Sequence, residues 1–222
     1  MIAAVYFFAY LYFASELLPP LTALLRRPVD RTRSKVVLFC LVMFLFDMVL
    51  IGFQHRASGG NVWLSYIVHP TEAVLVCWIL SDWQVRPGTR RALGYLVPVY
   101  LITMTILTLT EERSDTFSLI TGSLSGLAIL CLVLYTLVSN SLLEREELRH
   151  RDWFWVCLGF TVYFCVETGV EPVERLLLSI DLPALIRLAI VKPVVETVAM
   201  VLIARGMFCP VRPPGQDRVL AG

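Results

Sequence analysis

The chain has 222 residues, of which 57% are hydrophobic and 17% are charged, and its mean hydropathy is +0.72. A soluble domain has about 45–50% apolar and about 25% charged residues, so this composition indicates an integral membrane protein with several spans. The formal net charge is +1, and the sequence has neither a basic stripe nor an aromatic RNA-binding motif. These features argue against nucleic-acid binding.

Apolar runs of about 20 residues, the length that a helix needs to cross a bilayer, occur seven times along the chain. Short connections separate them and leave no room for a separate soluble domain. We therefore predict an all-α fold, a seven-helix transmembrane bundle over residues 1–208, with a short tail at 209–222. The predicted spans are Ile2–Leu25, Val36–Phe53, Val62–Leu80, Ala92–Thr110, Thr116–Leu137, Trp153–Leu178 and Leu185–Phe208.

The basic residues are distributed unequally between the two ends of these spans. Fourteen of them follow spans one, three and five or the midpoint of span seven, and four lie at the opposite ends. Because cytoplasmic loops are enriched in Lys and Arg, this pattern predicts that the N-terminus lies outside and the C-terminus in the cytoplasm. The first span lacks the basic start of a signal peptide, so we interpret it as a retained helix. The expected location is the plasma (inner) membrane.

The last predicted span, Leu185–Phe208, carries Lys192 and Glu196 one helical turn apart. Residues at i and i+4 lie on one face of a helix and can form an ion pair. An isolated charge at membrane depth costs about 2.5–3.5 kcal/mol even on the lenient insertion scales. Lys192 and Glu196 are therefore expected to face the bundle interior or a water-filled cavity.

Other ionisable residues fall at similar depths in the predicted bundle. His69 and Glu72 are three residues apart in span three, and Glu167 and Glu171 share a face of span six. With Asp47, Glu16 and Glu196, six acids share the membrane with one lysine and one histidine, so they cannot all be ionised in a dry interior. Protons or a cation are the ligands that this imbalance favours. The candidate binding residues are Lys192, Glu196, Glu72, His69, Glu167, Glu171 and Asp47.

Several of these residues have a proline close by, which loosens the helix beside the ionisable group. The pairings are Glu16 with Pro19, His69 and Glu72 with Pro70, Glu171 with Pro172, and Lys192 and Glu196 with Pro193.

The two halves of the chain show a weak internal similarity. Residues 69–72 (HPTE) align with 192–196 (KPVVE) if one extra residue is allowed, and Asp47 aligns with Glu167. This spacing fits a 3+1+3 repeat of the spans, as in some transporters, with chance matching as the alternative.

Cofactor and metal chemistry find little support in the sequence. Only His55, His69 and His150 are present, and the predicted topology places His55 and His150 on opposite sides, so we predict no metal site. Lys192 in the last span and Glu72 in the third resemble the Schiff-base lysine and counter-ion of retinal proteins, but span six has acids where a retinal pocket needs aromatic residues. The sequence therefore indicates no particular cofactor.

Enzymatic activity is not predicted either. The run TGSLSG at 121–126 has serines but no base beside them, and small residues at this spacing are typical of close helix packing.

Three functional hypotheses remain open. The first is a carrier of a small solute, coupled to protons, with its site in spans two, three, six and seven. The second is a seven-helix sensor that signals to a cytoplasmic partner bound at Leu142–Asp152, a segment of mixed charge that reads as an extension of helix five. The third is a non-catalytic subunit or assembly factor that binds other membrane subunits. All three share the lipid bilayer as a partner, and the first two add protons or a small ligand.

Overall fold

The computed structural model describes residues 2–26, 30–56, 62–84, 86–110, 119–143 and 148–210. Every regular element within these ranges is helical, as predicted. A single 3-10 turn, Leu148–His150, precedes α7. The α-helices are α1 (Ile2–Glu16), α2 (Leu18–Leu25), α3 (Arg31–Arg56), α4 (Val62–Trp83), α5 (Pro87–Thr110), α6 (Leu119–Leu143), α7 (Asp152–Ile180) and α8 (Leu182–Met207).

Within the described ranges, six helical segments are long and apolar enough to cross a membrane, which confirms the prediction of a multi-pass membrane protein. They are Ala4–Leu25, Arg31–Gly52, Leu64–Trp83, Pro87–Thr110, Thr121–Leu143 and Asp152–Glu174. The first of them includes both α1 and α2. Helix α8 has 26 residues but is not among the six, and its ionisable residues are Arg187, Lys192, Glu196 and Arg205. The seventh span, the sidedness and the internal repeat therefore stay predictions.

The first predicted span is interrupted at Leu17, where α1 ends and α2 begins. Pro19 and Pro20 lie in the first turn of α2, where backbone N–H groups have no partner within the helix, so that proline costs little there. Neither proline can donate to a carbonyl of the preceding turn, so the α-helical ladder stops there. The break leaves Glu16 as the last residue of α1, fully buried. By contrast, α4, α5, α7 and α8 each continue through an internal proline.

Helices α7 and α8 form the central pair of the bundle, and glycines allow their close approach. A Cβ on Gly159 of α7 would lie 2.6 Å from a side-chain carbon of Ile203 and 2.8 Å from the carbonyl oxygen of Ala199, both in α8. A Cβ on Gly206 of α8 would lie 3.0 Å from the carbonyl oxygen of Asp152 in α7. Backbone contact at both ends of the pair therefore depends on residues without side chains.

The other helices pack around this pair. Helices α1 and α2 pack against α8, α6 packs against α7, and α4 packs against α3, α5 and α6. Helix α5 is peripheral, with large exposed apolar side chains such as Tyr95, Ile102 and Leu109. An apolar exposed surface of this kind is suited to contact with lipid.

Gly126 of α6, within the small-residue run 121–126, packs against the side chain of Thr168, which confirms the packing role predicted for that run.

Charged residues tie several helices together at the end of the bundle where α3 begins. Arg33 is buried and donates to the carbonyl oxygens of Met207, at 3.4 Å, and Cys209, at 2.7 Å. The ammonium of Lys35 lies 2.6 Å from Asp82 of α4 and 4.4 Å from the centre of the Trp78 ring. We call this set the end network; it consists of Asp30, Arg33, Lys35, Asp82, Arg90 and Asp152.

The predicted helical extension of span five is only partly correct. Helix α6 runs to Leu143, six residues beyond the predicted end, but Leu148–His150 forms a 3-10 turn instead of continued α-helix. Residues 144–147 of the predicted partner surface Leu142–Asp152, and residues 211–222 of the predicted tail, lie outside the described part of the chain.

Candidate functional site

The predicted site residues His69, Glu72 and Glu167 meet in the interior between α4 and α7. One ligand atom from each of the three side chains lies within 4.8 Å of the other two. His69 Nδ1 is 3.5 Å from Glu72 Oε2, and the hydroxyl of Tyr163 donates to Glu72 Oε1 at 3.1 Å. Only 1% of the Glu72 side chain and 12% of the His69 side chain are exposed. We call His69, Glu72, Tyr163 and Glu167 the His69 group.

A small cavity opens beside this group and has His69 in its wall. It is lined on other sides by Pro70, Tyr100 and Thr121, and Tyr100 is hydrogen-bonded to Ser125. Its volume is about 10 Å³, roughly the room for one water molecule. Because its lining includes hydroxyl groups and an imidazole, a water molecule there would find polar partners.

A second group of ionisable side chains lies between α1, α3 and α8. Tyr12 donates to Glu16 Oε1 at 2.9 Å, and both side chains are buried. Asp47 lies next to Glu16, close enough to act as its side-chain hydrogen-bond partner, and Glu196 lies within electrostatic range of both acids. We call Tyr12, Glu16, Asp47, Lys192 and Glu196 the Glu16 group.

Lys192 and Glu196 are oriented toward each other, as their spacing predicts. Lys192 Nζ lies 4.0 Å from Glu196 Oε1, at the outer limit of an ion pair. The Glu196 side chain is 7% exposed and that of Lys192 is 24% exposed, so the lysine is the more accessible partner. Lys192 also lies within electrostatic range of Asp47. One ammonium group thus lies close enough to two carboxylates, on different helices, to offset part of their negative charge.

The Glu16 carboxyl shows how the excess of acid is accommodated. Among the described residues, no donor reaches its buried Oε2 atom. The neighbouring side chain is another acid, Asp47, which can donate only when it carries a proton. A proton shared between the two carboxyls would satisfy Oε2 and would avoid burying two like charges side by side.

The two groups are close enough to interact. Asp47 of the Glu16 group is within electrostatic range of Glu72, and Tyr163 of the His69 group is within range of Glu196 and Tyr12. Together the two groups form one ionisable cluster with contributions from α1, α3, α4, α7 and α8. Such an arrangement can bind protons and cations and can pass a proton between neighbouring carboxyls.

Most of the predicted site residues therefore lie together. Lys192, Glu196, Glu72, His69, Glu167 and Asp47 are all members of the cluster. Glu171 belongs to α7, but its side chain is not among those that the structure describes. The His69 group also brings one histidine and two carboxylates together. The small number of histidines in the sequence gives no indication of this combination.

Two tyrosines and one acid extend the predicted site. Glu16 is not among the candidate binding residues predicted from the sequence. The structure adds it to the site, because Tyr12 one turn earlier donates to it. The i, i+4 spacing of Tyr12 and Glu16 was a readable signal. Tyr163 and Glu72 are 91 positions apart, and no local pattern could have paired them.

No protein family model, curated protein or solved structure matches the chain. What the cluster does is therefore inferred from its own geometry and chemistry.

Proposed function

We propose that the protein is a membrane carrier of a small cation, coupled to the movement of protons in the opposite direction. The observation that carries this proposal is the convergence of ionisable side chains from five helices on one buried region. Carboxyls in a dry interior need either a proton or a cation. When a cation binds, carboxyl protons must leave, so the two species compete for the same oxygens. This competition is the physical basis of exchange.

The size of the cavity beside His69 supports a cation over an organic solute. Its volume, about 10 Å³, accommodates a water molecule or an ion but not a metabolite. Within this proposal, Glu72 and Glu196 exchange protons for the cation, and Lys192 neutralises Glu196 or Asp47 while the cation is absent.

Movement of the cation needs helices that can change their angle. Pro70 lies beside His69, and Pro193 lies beside Lys192, so α4 and α8 each lack a backbone hydrogen bond next to a site residue. The break at Leu17 likewise interrupts the helical hydrogen bonds beside Glu16. These points are the hinges of the proposed motion. We propose the plasma membrane as its location, with seven spans, the N-terminus outside and the C-terminus in the cytoplasm.

The test is a flux measurement on purified protein in liposomes that contain a pH-sensitive dye. Sodium, potassium, magnesium or manganese chloride is added outside, with an ionophore that holds the membrane potential at zero. We expect the lumen to become more alkaline after addition of at least one salt, because protons leave as the cation enters. Glu72→Gln and Glu196→Gln should each reduce the initial rate at least tenfold.

Asp181→Asn is the matched control for these variants. It also removes one negative charge, but Asp181 caps α8 through the backbone N–H of Ala184, at 3.1 Å, and lies outside the cluster. Asparagine caps helices as well as aspartate does, so this variant should transport like the wild type. A wild-type protein that gives no proton flux with any of the four salts would overturn the proposal. So would unchanged flux in both glutamine variants.

A further inference from the structure

We propose that His69, Glu72 and Glu167 bind a first-row divalent transition-metal ion, of the class that includes Mn²⁺, Fe²⁺, Co²⁺ and Zn²⁺. The inference deepens the proposed function by naming the cation, and it rests on that function only for the idea that the ion is carried.

The first argument is geometric. Two ligand atoms that each lie about 2.1 Å from a tetrahedral ion are about 3.4 Å apart. The observed distance between His69 Nδ1 and Glu72 Oε2 is 3.5 Å, and the Glu167 ligand atom lies within 4.8 Å of the ligand atoms of both. Side-chain rotations that move the Glu167 ligand atom by up to about 1.4 Å would complete a three-residue site.

The second argument is the balance of charge. Two carboxylates and a neutral imidazole carry two negative charges, which a divalent ion cancels. Glu72 is almost fully buried, so an ion that neutralises it also removes the cost of keeping its charge away from water. A monovalent cation would leave one negative charge uncompensated.

The third argument is the support that Tyr163 gives to a proposed ligand. Its hydroxyl donates to Glu72 Oε1, while Oε2 of the same carboxylate is the atom that lies near His69. A metal-ligating carboxylate is commonly held by a hydrogen bond of this kind, which fixes its orientation. Tyr163 is thus a positioning residue for the site.

The ligand set also restricts the kind of metal. An imidazole nitrogen beside two carboxylates suits manganese, iron, cobalt or zinc, whereas calcium and magnesium prefer oxygen ligands alone. His69 also lies in the wall of the small cavity, so a water molecule there would be close to one of the three proposed ligands.

The test uses tag-free, detergent-purified protein treated with chelator and titrated with cobalt chloride. We expect saturable visible absorption from one cobalt ion per chain, displaced by zinc chloride but not by magnesium chloride. Glu72→Gln and Glu167→Gln should weaken cobalt binding at least tenfold. Asp181→Asn removes an acid that lies outside the cluster, at the cap of α8, and should bind cobalt within about twofold of the wild type. Monodisperse size-exclusion profiles identify the variants that remain folded.

A further variant reports contact with the metal directly. His69→Cys replaces an imidazole by a thiol, and a thiolate bound to cobalt absorbs strongly in the near ultraviolet. That band should appear with cobalt in His69→Cys and be missing from the wild type, whose own cysteines control for thiols elsewhere. The band therefore separates a ligand from a residue that only supports the fold.

The inference is overturned if the wild type binds no cobalt saturably, if magnesium displaces it equally well, or if His69→Cys binds cobalt without the band. Because these measurements are made in detergent, they do not depend on transport. Metal binding without flux would contradict the proposed function alone, and flux of sodium or potassium without metal binding would contradict this inference alone.

Discussion

Tyrosine hydroxyl groups determine how two of the buried acids in this protein are held. Tyr12 donates to Glu16, and Tyr163 donates to Glu72. In each case the tyrosine ring is buried among apolar side chains while its hydroxyl reaches a carboxyl group. Such bonds allow an acid to remain in the interior without a full counter-charge.

For Tyr12→Phe we expect a loss of about 1–3 kcal/mol in the free energy of unfolding, because Glu16 loses the donor to Oε1 while its Oε2 already lacks one. The measurement is the unfolding midpoint in mixed detergents. Tyr10→Phe is the control in the same helix, since the Tyr10 side chain is 59% exposed, and it should change stability by less than about 0.5 kcal/mol. Equal effects of the two substitutions would contradict the role given to Tyr12.

For Tyr163→Phe we expect cobalt affinity to fall by about tenfold or more, the usual consequence of losing a hydrogen bond to a metal ligand. The cobalt titration described above measures it. Because Tyr163 touches the ligand and not the ion, the shape of the cobalt spectrum should be preserved. A changed spectrum with unchanged affinity would contradict a positioning role.

Contacts between side chains of the site could be predicted from the sequence only where the two residues lie close together along the chain. Lys192 with Glu196, and His69 with Glu72, are pairs within one helix, and their spacing predicted both contacts. Tyr163 meets Glu72 only because α7 and α4 cross at a particular height. A single sequence contains no signal for that height, so Tyr163 is absent from the predicted site.

At the scale of whole helices, the apolar runs predicted where spans occur better than where they end. Helix α3 begins at Arg31, five residues before the predicted start at Val36, because Arg33 and Lys35 find partners inside the bundle. A hydropathy scan excludes charged residues from a span even when those residues form ion pairs or hydrogen bonds inside the folded protein. For the same reason Lys192, Glu196 and the two arginines of α8 keep this helix outside the set of clear spans.

The contact between α7 and α8 provides a test at this scale. Gly159→Ala should destabilise the protein by about 1–3 kcal/mol, because the new methyl group would meet the backbone of α8 at Ala199. Gly169→Ala in the same helix meets nothing within 4 Å and should be neutral or stabilising, since alanine favours a helix by up to about 1 kcal/mol. Unfolding midpoints of both variants give the comparison. A Gly159→Ala protein as stable as Gly169→Ala would show that the helices can separate without cost.

Across the whole molecule, the end network joins helices that are far apart in sequence. Arg33 of α3 binds the carbonyl groups at the end of α8, and it lies 3.5 Å from Asp152 at the start of α7. The last carbonyls of a helix have no partner within the helix, so a cation is well placed there. The sequence indicated that these basic residues gather at one end, but not that they bond to one another.

Arg33→Gln should lower the free energy of unfolding by about 1–3 kcal/mol, because it leaves buried carbonyl groups and Asp152 with a weaker donor. The exposed Arg31, two residues earlier, gives the control Arg31→Gln, for which we expect almost no change. Unfolding midpoints at low and high salt measure both effects. A loss that disappears at high salt would indicate a solvent-exposed ion pair and would contradict the buried geometry.

The position of Arg33 also has a consequence for how the chain is made. Its acceptors, the carbonyl groups of Met207 and Cys209, are synthesised some 175 residues after it. Until α8 has been synthesised and has packed into the bundle, this guanidinium lacks both acceptors and must be solvated by water. Completion of the helix bundle is therefore coupled to the arrival of α8, and a chain truncated before α8 should leave Arg33 unburied.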